Sequence, residues 1–180
     1  MSRAFVKEDQ GGPPPIIPPR AALPAGTPNY VTPRGLHLLR AELVELETQR
    51  SQIEANHSDE ADRTHQLTIL NGRLSALSQR LASAKLVDLA SQPAEQVRFG
   101  ATVTLKTRNG QNADTLQTFT IVGVDEAAVA EGRLAFVAPI ALTLLGARLG
   151  QIVALRTGLG EEKAEVVGIT YETTNTPLGN

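Results

Sequence analysis

Residues 30–55 read YVTPRGLHLLRAELVELETQRSQIEA, and the spacing of their leucines decides the architecture. Leu36, Leu39, Leu43 and Leu46 recur at alternating steps of three and four, and the row continues through Arg50 to Ile53. Thr32 is a good helix cap, and Pro33 suits the first helical position, where no intrahelical amide bond is lost. A second row follows in Leu67, Leu70, Leu74, Leu77, Leu81 and Ala84. Both are heptad seams. Between them lies a polar bend, NHSDEADRTH at 56–65. Two such helices joined by a short bend should fold back as an antiparallel hairpin over 31–90. Arms of roughly 22–28 residues reach roughly 33–42 Å at 1.5 Å per residue. Gly72 weakens the second arm by about 1 kcal/mol relative to alanine. No third long helix is present to complete a bundle, so the hairpin is expected to project.

Upstream, residues 1–30 include GGPPPIIPPRAALPAGTP. Proline at that density has no amide hydrogens to offer a ladder and favours extended conformations, which predicts a flexible tail. The alternative is a docking peptide for a proline-reading partner. Downstream, SQPAEQ at 91–96 breaks the helical pattern at Pro93 and acts as a linker. From 97 to 173 the period becomes two. Val103 and Leu105 alternate with Thr102 and Thr104, Asn109-Gly110 signals a hairpin, and LQTFTIVGV and RLAFVA read as further strands. Pro139 opens a short helix, PIALTLLGA, with Gly146 near its end. QIVALRT and KAEVVGITYE form a closing hairpin around GLGE, and 174–180 is a flexible end. The fold class is therefore α+β: an antiparallel coiled-coil hairpin, then a small β-sheet domain with one short helix.

Composition narrows the function. Of 180 residues 41% are hydrophobic and 20% charged, with a net charge of −2, which argues against gripping duplex nucleic acid through its phosphates. The absence of cysteine excludes disulfides, thiolate metal sites and cysteine nucleophiles. No apolar run approaches the roughly 18 residues of a membrane span, and no secretory core opens the chain. A soluble cytoplasmic protein is expected, with no membrane partner.

The stretch IVGVDEAAVAEGRLAFVAPIALTLLGARLGQIVAL, followed by EEKAEVVGITYE, resembles the C-terminal domain of the Gre transcription elongation factors. Ile121, Val122, Gly123, Asp125, Glu126, Pro139, Ala141, Leu144, Leu145, Gly146 and Gly150 occupy the family's places. Thr32, Gly35, Leu39, Glu42, Leu43 and Leu46 match its opening helix, and AKLVD at 84–88 resembles the end of its second. The resemblance covers about residues 30–172. It implies an FKBP-like C-terminal domain docked on bacterial RNA polymerase beside the secondary channel. It also implies a coiled coil entering that channel, and tip acids that help hold the second catalytic magnesium. One ion can organise the attacking water while the other stabilises the leaving oxygen, and magnesium accepts one or two carboxylates while keeping several waters.

The resemblance places Asp59, Glu60 and Asp62 at the acidic tip, with Asp59 and Glu60 as the ligands to a magnesium shared with the polymerase. No cofactor of the chain's own and no intrinsic catalytic residue is expected. Asn56 stands where the family carries its leading tip aspartate, and the first helix is shorter than in the cleaving factors. Both features lean against cleavage, and the short coil is more like that of the relatives grouped as regulators of nucleoside diphosphate kinase. Asp125, Glu126, Pro139 and Ile140 are the expected polymerase contacts, although Val137-Ala138 replace the polar residues frequent before that proline.

The bend has a plainer explanation too. Ser58 or Asn56 can cap the second helix, and acids in its first turn complement the helix dipole. His57 and His65 with Asp59 could bind a transition metal, but no third nitrogen ligand accompanies them; His37 reads as a surface residue. Modulation of elongation or initiation is the expected function, by a monomer that meets nucleic acid only through the polymerase complex. The alternatives are stimulation of transcript cleavage and a coiled-coil interaction protein unrelated to polymerase. Prolyl isomerisation would need an aromatic pocket, and only Phe99, Phe119, Phe136 and Tyr171 lie in the sheet domain.

Overall fold

The computed structural model describes residues 15–56, 59–109, 113–157 and 160–172. A short strand β1 (Asn29–Val31) leads into helix α1 (Pro33–Ala55), followed by α2 (Glu60–Ser83) and strand β2 (Ala84–Leu86). Then come β3 (Ala101–Thr107), β4 (Leu116–Val122), β5 (Arg133–Ala135), α3 (Pro139–Leu144), β6 (Ile152–Thr157) and β7 (Gly160–Tyr171). The result is a mixed α/β chain with two long helices and a five-stranded sheet in the order β5-β4-β3-β7-β6.

The leucine rows form the hairpin as their spacing predicts. Leu39, Leu46, Leu70, Leu74 and Leu77 are buried together, with Leu36, Leu43, Ile53, Leu81 and Ala84 packed around them. Full burial of each leucine contributes about 1.5–3 kcal/mol. Arg50, the charge in the α1 row, keeps its Nε 3.7 Å from Glu54 Oε1 one turn on. The seam therefore tolerates it without a partner from α2.

The second helix ends sooner than its leucine row suggests. AKLVD does not continue α2: residues 84–86 leave as β2, which runs parallel to β1 with Tyr30 opposite Lys85. The cause is Asn29, whose side-chain amide donates to Arg80 O at 2.9 Å and to Ser83 Oγ at 3.1 Å. A polar group from outside satisfies the helix's last turn, so the chain can turn away there.

In the sheet domain β3 alternates strictly, burying Ala101, Val103, Leu105 and Thr107. Ala101, Val103 and Leu105 meet Val97, Ile121, Leu134, Phe136, Leu144, Val153, Leu155 and Val166 in a core separate from the hairpin's. β5 is only three residues long and pairs parallel to β4, a direction that alternation cannot reveal. The β3–β4 connection is longer than a two-residue turn. Asp114, not a glycine, adopts the positive φ of 67° among the described residues there, and Asn109 Oδ1 accepts from Lys163 N at 2.7 Å. Gly110 lies outside the described residues.

The N-terminal extension departs most from expectation. From Ile17 to Leu23 it lies against the body, Arg20 pairing with Glu42 and Asp125 and Leu23 packing on the sheet core. Residues 1–14 of the expected tail lie outside the described residues.

Candidate functional site

At the far end of the hairpin Asn56 closes α1, its N–H donating to Ile53 O at 3.3 Å. Asp59, not Asn56, is the cap of α2, with Oδ1 3.5 Å from Ala61 N. His57 and Ser58 lie outside the described residues. Glu60 and Asp62 follow in the first turn, where each negative charge gains about 0.3–1 kcal/mol from the helix dipole. Asp59, Glu60, Asp62 and His65 are all exposed. Among the described residues no group of three metal-ligating side chains converges. Among the described residues the tip offers the exposed carboxylates of Asp59, Glu60 and Asp62, hard oxygen donors of the kind magnesium takes, which would need further ligands from elsewhere.

At the other end two charge clusters, one buried and one half-buried, lock the hairpin to the sheet domain. Thr32 Oγ1 accepts from Gly35 N at 2.9 Å, capping α1, and donates to Glu126 Oε2 at 2.5 Å. Arg133 Nη2 lies 3.1 Å from the other oxygen of Glu126, whose side chain is 2% exposed. The approach is close enough to require glycine: a Cβ on Gly35 would sit 2.8 Å from Glu126 Oε2, and one on Gly123 would sit 2.7 Å from Tyr30 O.

In the second cluster Arg20 forks onto Glu42 at 2.9 and 3.0 Å and reaches Asp125 Oδ1 at 2.9 Å. Hydrogen bonding to Glu42, above all, raises the Arg20 guanidinium above its ordinary pKa. Arg80 Nη1 stands 3.3 Å from Asp125 Oδ2 as an ion pair without an aligned hydrogen bond.

Asp125 and Glu126, expected as contacts for a partner, are therefore turned inward. Their carboxylates are engaged by Arg20, Arg80, Thr32 and Arg133 within the chain, because an unpaired carboxylate at that depth would cost several kcal/mol. Pro139 and Ile140 differ. Pro139 is exposed at the first position of α3 and Ile140 is half-buried beside it, with Leu142 exposed one turn on. The tip acids, the α3 face and the inner clamps thus occupy three separate places.

Beside α3 a cavity of about 480 Å³ is lined by Tyr30, Phe99, Phe136 and Leu145. Its rings pack on one another with centroids 5.6–5.8 Å apart. Phe119 and Tyr171 are not among its lining residues, so two of the four aromatics considered for an isomerase pocket stand apart from it. Tyr171 instead donates through its hydroxyl to Gln96 O at 2.7 Å and accepts from Arg98 N at 3.0 Å.

Sequence reasoning singled out the tip acids and the start of α3 as candidates, both of which are exposed, but gave no sign of Arg20, Arg80 and Arg133 as internal clamps. Their partners lie 7 to 105 residues away, and no periodicity marks them.

Residues 92–171 match the family described as transcription elongation factor, GreA/GreB, C-term. The chain is 33% identical over 159 residues to transcription elongation factor GreB of Neisseria meningitidis serogroup A, covering 81% of this chain and 95% of that protein. It is 31% identical over 156 residues to transcription elongation factor GreA of Rickettsia conorii, covering 79% and 94%. The similarity thus spans far more than the C-terminal sheet, and the chain belongs to the GreA/GreB family of transcription elongation factors.

Proposed function

We propose that this chain acts on RNA polymerase as an accessory elongation factor. The sheet domain, read as FKBP-like, anchors beside the enzyme's secondary channel through the α3 face at Pro139 and Ile140. The hairpin then enters the channel with Asp59, Glu60 and Asp62 leading. One observation carries this reading: the hairpin's apolar seam is filled between its own helices, its base is locked by buried charge, and its acidic end is exposed. A filled seam also leaves little apolar surface for a second hairpin, which disfavours the coiled-coil dimer and favours a monomer. In this role the factor works in the cytoplasm and meets nucleic acid only through the polymerase complex.

Modulation of elongation or initiation fits the tip better than stimulation of cleavage. Asn56 offers an amide where a carboxylate would bind a hard cation more strongly, and the 23 residues of α1 give an arm of about 35 Å. Asp59 and Glu60 are the residues that would hold a shared magnesium. That ion, when bound, supplies positive charge to orient water and stabilise a leaving oxygen. Asp59 is already committed in part to capping α2.

The test is an RNA-shortening assay on stalled transcription complexes, alongside polymerase binding, with the wild type and an Asp59→Asn, Glu60→Gln double variant. Binding without acid-dependent shortening is expected. Shortening that the variant abolishes would replace modulation by cleavage, and no binding at all would remove the polymerase reading.

A further inference from the structure

The segment before the hairpin crosses the junction between hairpin and sheet domain and touches both. Ile17 fills the space beside Gly72 on α2 that any side chain there would need. Arg20 follows, holding Glu42 of α1 through both terminal nitrogens and Asp125 of the sheet domain through Nε and Nη2, at 2.9–3.2 Å. Ala21 O accepts from Arg80 Nη2 of α2 at 2.5 Å, while Arg80 also faces Asp125. Leu23 then packs on the core of the sheet domain. Pro18 and Pro19 restrict the backbone in between and so reduce the entropy lost on docking.

We infer that residues 17–23 form a strap that sets the angle between hairpin and sheet domain, with Arg20 as its positioning residue. The geometry separates this role from folding. The hairpin's seam takes nothing from the strap and the sheet's core takes only Leu23 at its edge, and the Thr32–Glu126–Arg133 cluster still joins the two parts when the strap is removed. That cluster lies at one place near the start of α1 and so serves as a hinge. Arg80 of α2 also faces Asp125, but at 3.3 Å and without an aligned hydrogen bond, so a further fixed point is needed to define the angle. Arg20 supplies it, because its planar fork spans two carboxylates that belong to different parts of the molecule. Its side chain is only 18% exposed, so salt screens the pairs weakly. The inference is independent of any polymerase contact.

The chain contains no cysteine, so one label pair can be introduced cleanly: Gln52→Cys near the hairpin's far end and Leu116→Cys on β4, both exposed. Pulsed electron-paramagnetic distance measurements on the spin-labelled full chain should give one narrow distribution. Arg20→Ala, or deletion of residues 1–21, should replace it by a broad or shifted one while circular dichroism reports unchanged helix and strand content. Arg20→Lys should restore the narrow distribution only in part, since an ammonium cannot fork. Should Arg20→Ala fail to fold, Glu42→Gln provides the same readout with the Arg20–Asp125 pair left in place. A distribution unchanged in mean and width in the deletion variant, or in Glu42→Gln where that variant must serve, overturns the strap.

Discussion

Thr32 Oγ1 lies 2.5 Å from Glu126 Oε2, so the residue that caps the first long helix is also hydrogen-bonded to the sheet domain 94 positions away. The hydroxyl serves both ends at once, accepting from Gly35 N and donating to the carboxylate. Thr32→Val keeps the shape and removes both bonds. The expected loss is about 1–3 kcal/mol, read from urea unfolding, since a cap and a hydrogen bond to a charged group disappear together. Thr32→Ser should retain most of the stability. A Thr32→Val midpoint equal to wild type would mean that the contact does not hold the junction.

Gly35→Ala opposes helix propensity to sterics. Alanine favours a helix interior by about 1 kcal/mol, but here its Cβ would sit 2.8 Å from Oε2 of Glu126, a carboxylate held by Thr32 through that oxygen and by Arg133 through the other. The oxygen cannot yield without breaking the buried pair, so the substitution should destabilise by about 1–3 kcal/mol. A gain in melting temperature would refute the tightness of that approach.

At Gly72 the same substitution should behave differently. The atoms in the way belong to Ile17, a partly exposed side chain that can swing aside. The helix gain of about 1 kcal/mol should then largely survive, at the expense of the Ile17 contact. Thermal melting should show Gly72→Ala at or above wild type, and limited proteolysis should cut the variant faster before residue 20.

Alkaline pH tests Tyr171. Burial raises its hydroxyl above the ordinary 10.0, against a smaller opposing effect of the Arg98 N–H. A folded-state pKa above the unfolded one means that the contribution is complete below pH 10.0 and is lost as pH rises through the folded value. Stability should therefore fall more steeply above that pH in wild type than in Tyr171→Phe. At neutral pH the variant should be weaker by about 0.5–1.5 kcal/mol, having lost the bond to Gln96 O. Parallel alkaline curves for the two proteins would exclude Tyr171 as the titrating group.

The tip separates capping from charge. Asp59→Asn retains a side-chain oxygen for Ala61 N and should leave thermal stability near wild type, whereas Asp59→Ala should lose about 0.5–2 kcal/mol. In transcription assays the two should be equally impaired if the negative charge matters to the partner. Activity that follows stability instead would assign Asp59 to the cap alone.

Much of the molecule follows from local pattern. Leucines at steps of three and four build the hairpin, because a helix turns them to one side wherever the rest of the chain lies. Alternation over 101–107 yields β3 for the same reason, and Pro33 and Pro139 mark helix starts because their fixed φ and missing N–H fit there. Even the acidic bend is readable as a cap, although Asp59 rather than Asn56 fills the role.

Only the folded arrangement decides what the charges do. Asp125 and Glu126 look like surface acids in a turn, yet they face inward because Arg20, Arg80, Thr32 and Arg133 arrive from four other places in the chain. The end of α2 and the parallel pairing of β5 were likewise set from outside, by Asn29 and by the neighbouring strand. Burial of apolar side chains repeats with the backbone's own period and so is written locally. A buried ion pair has no period: it exists only once distant segments have met, and its carboxylates cannot be told from solvated ones until they do.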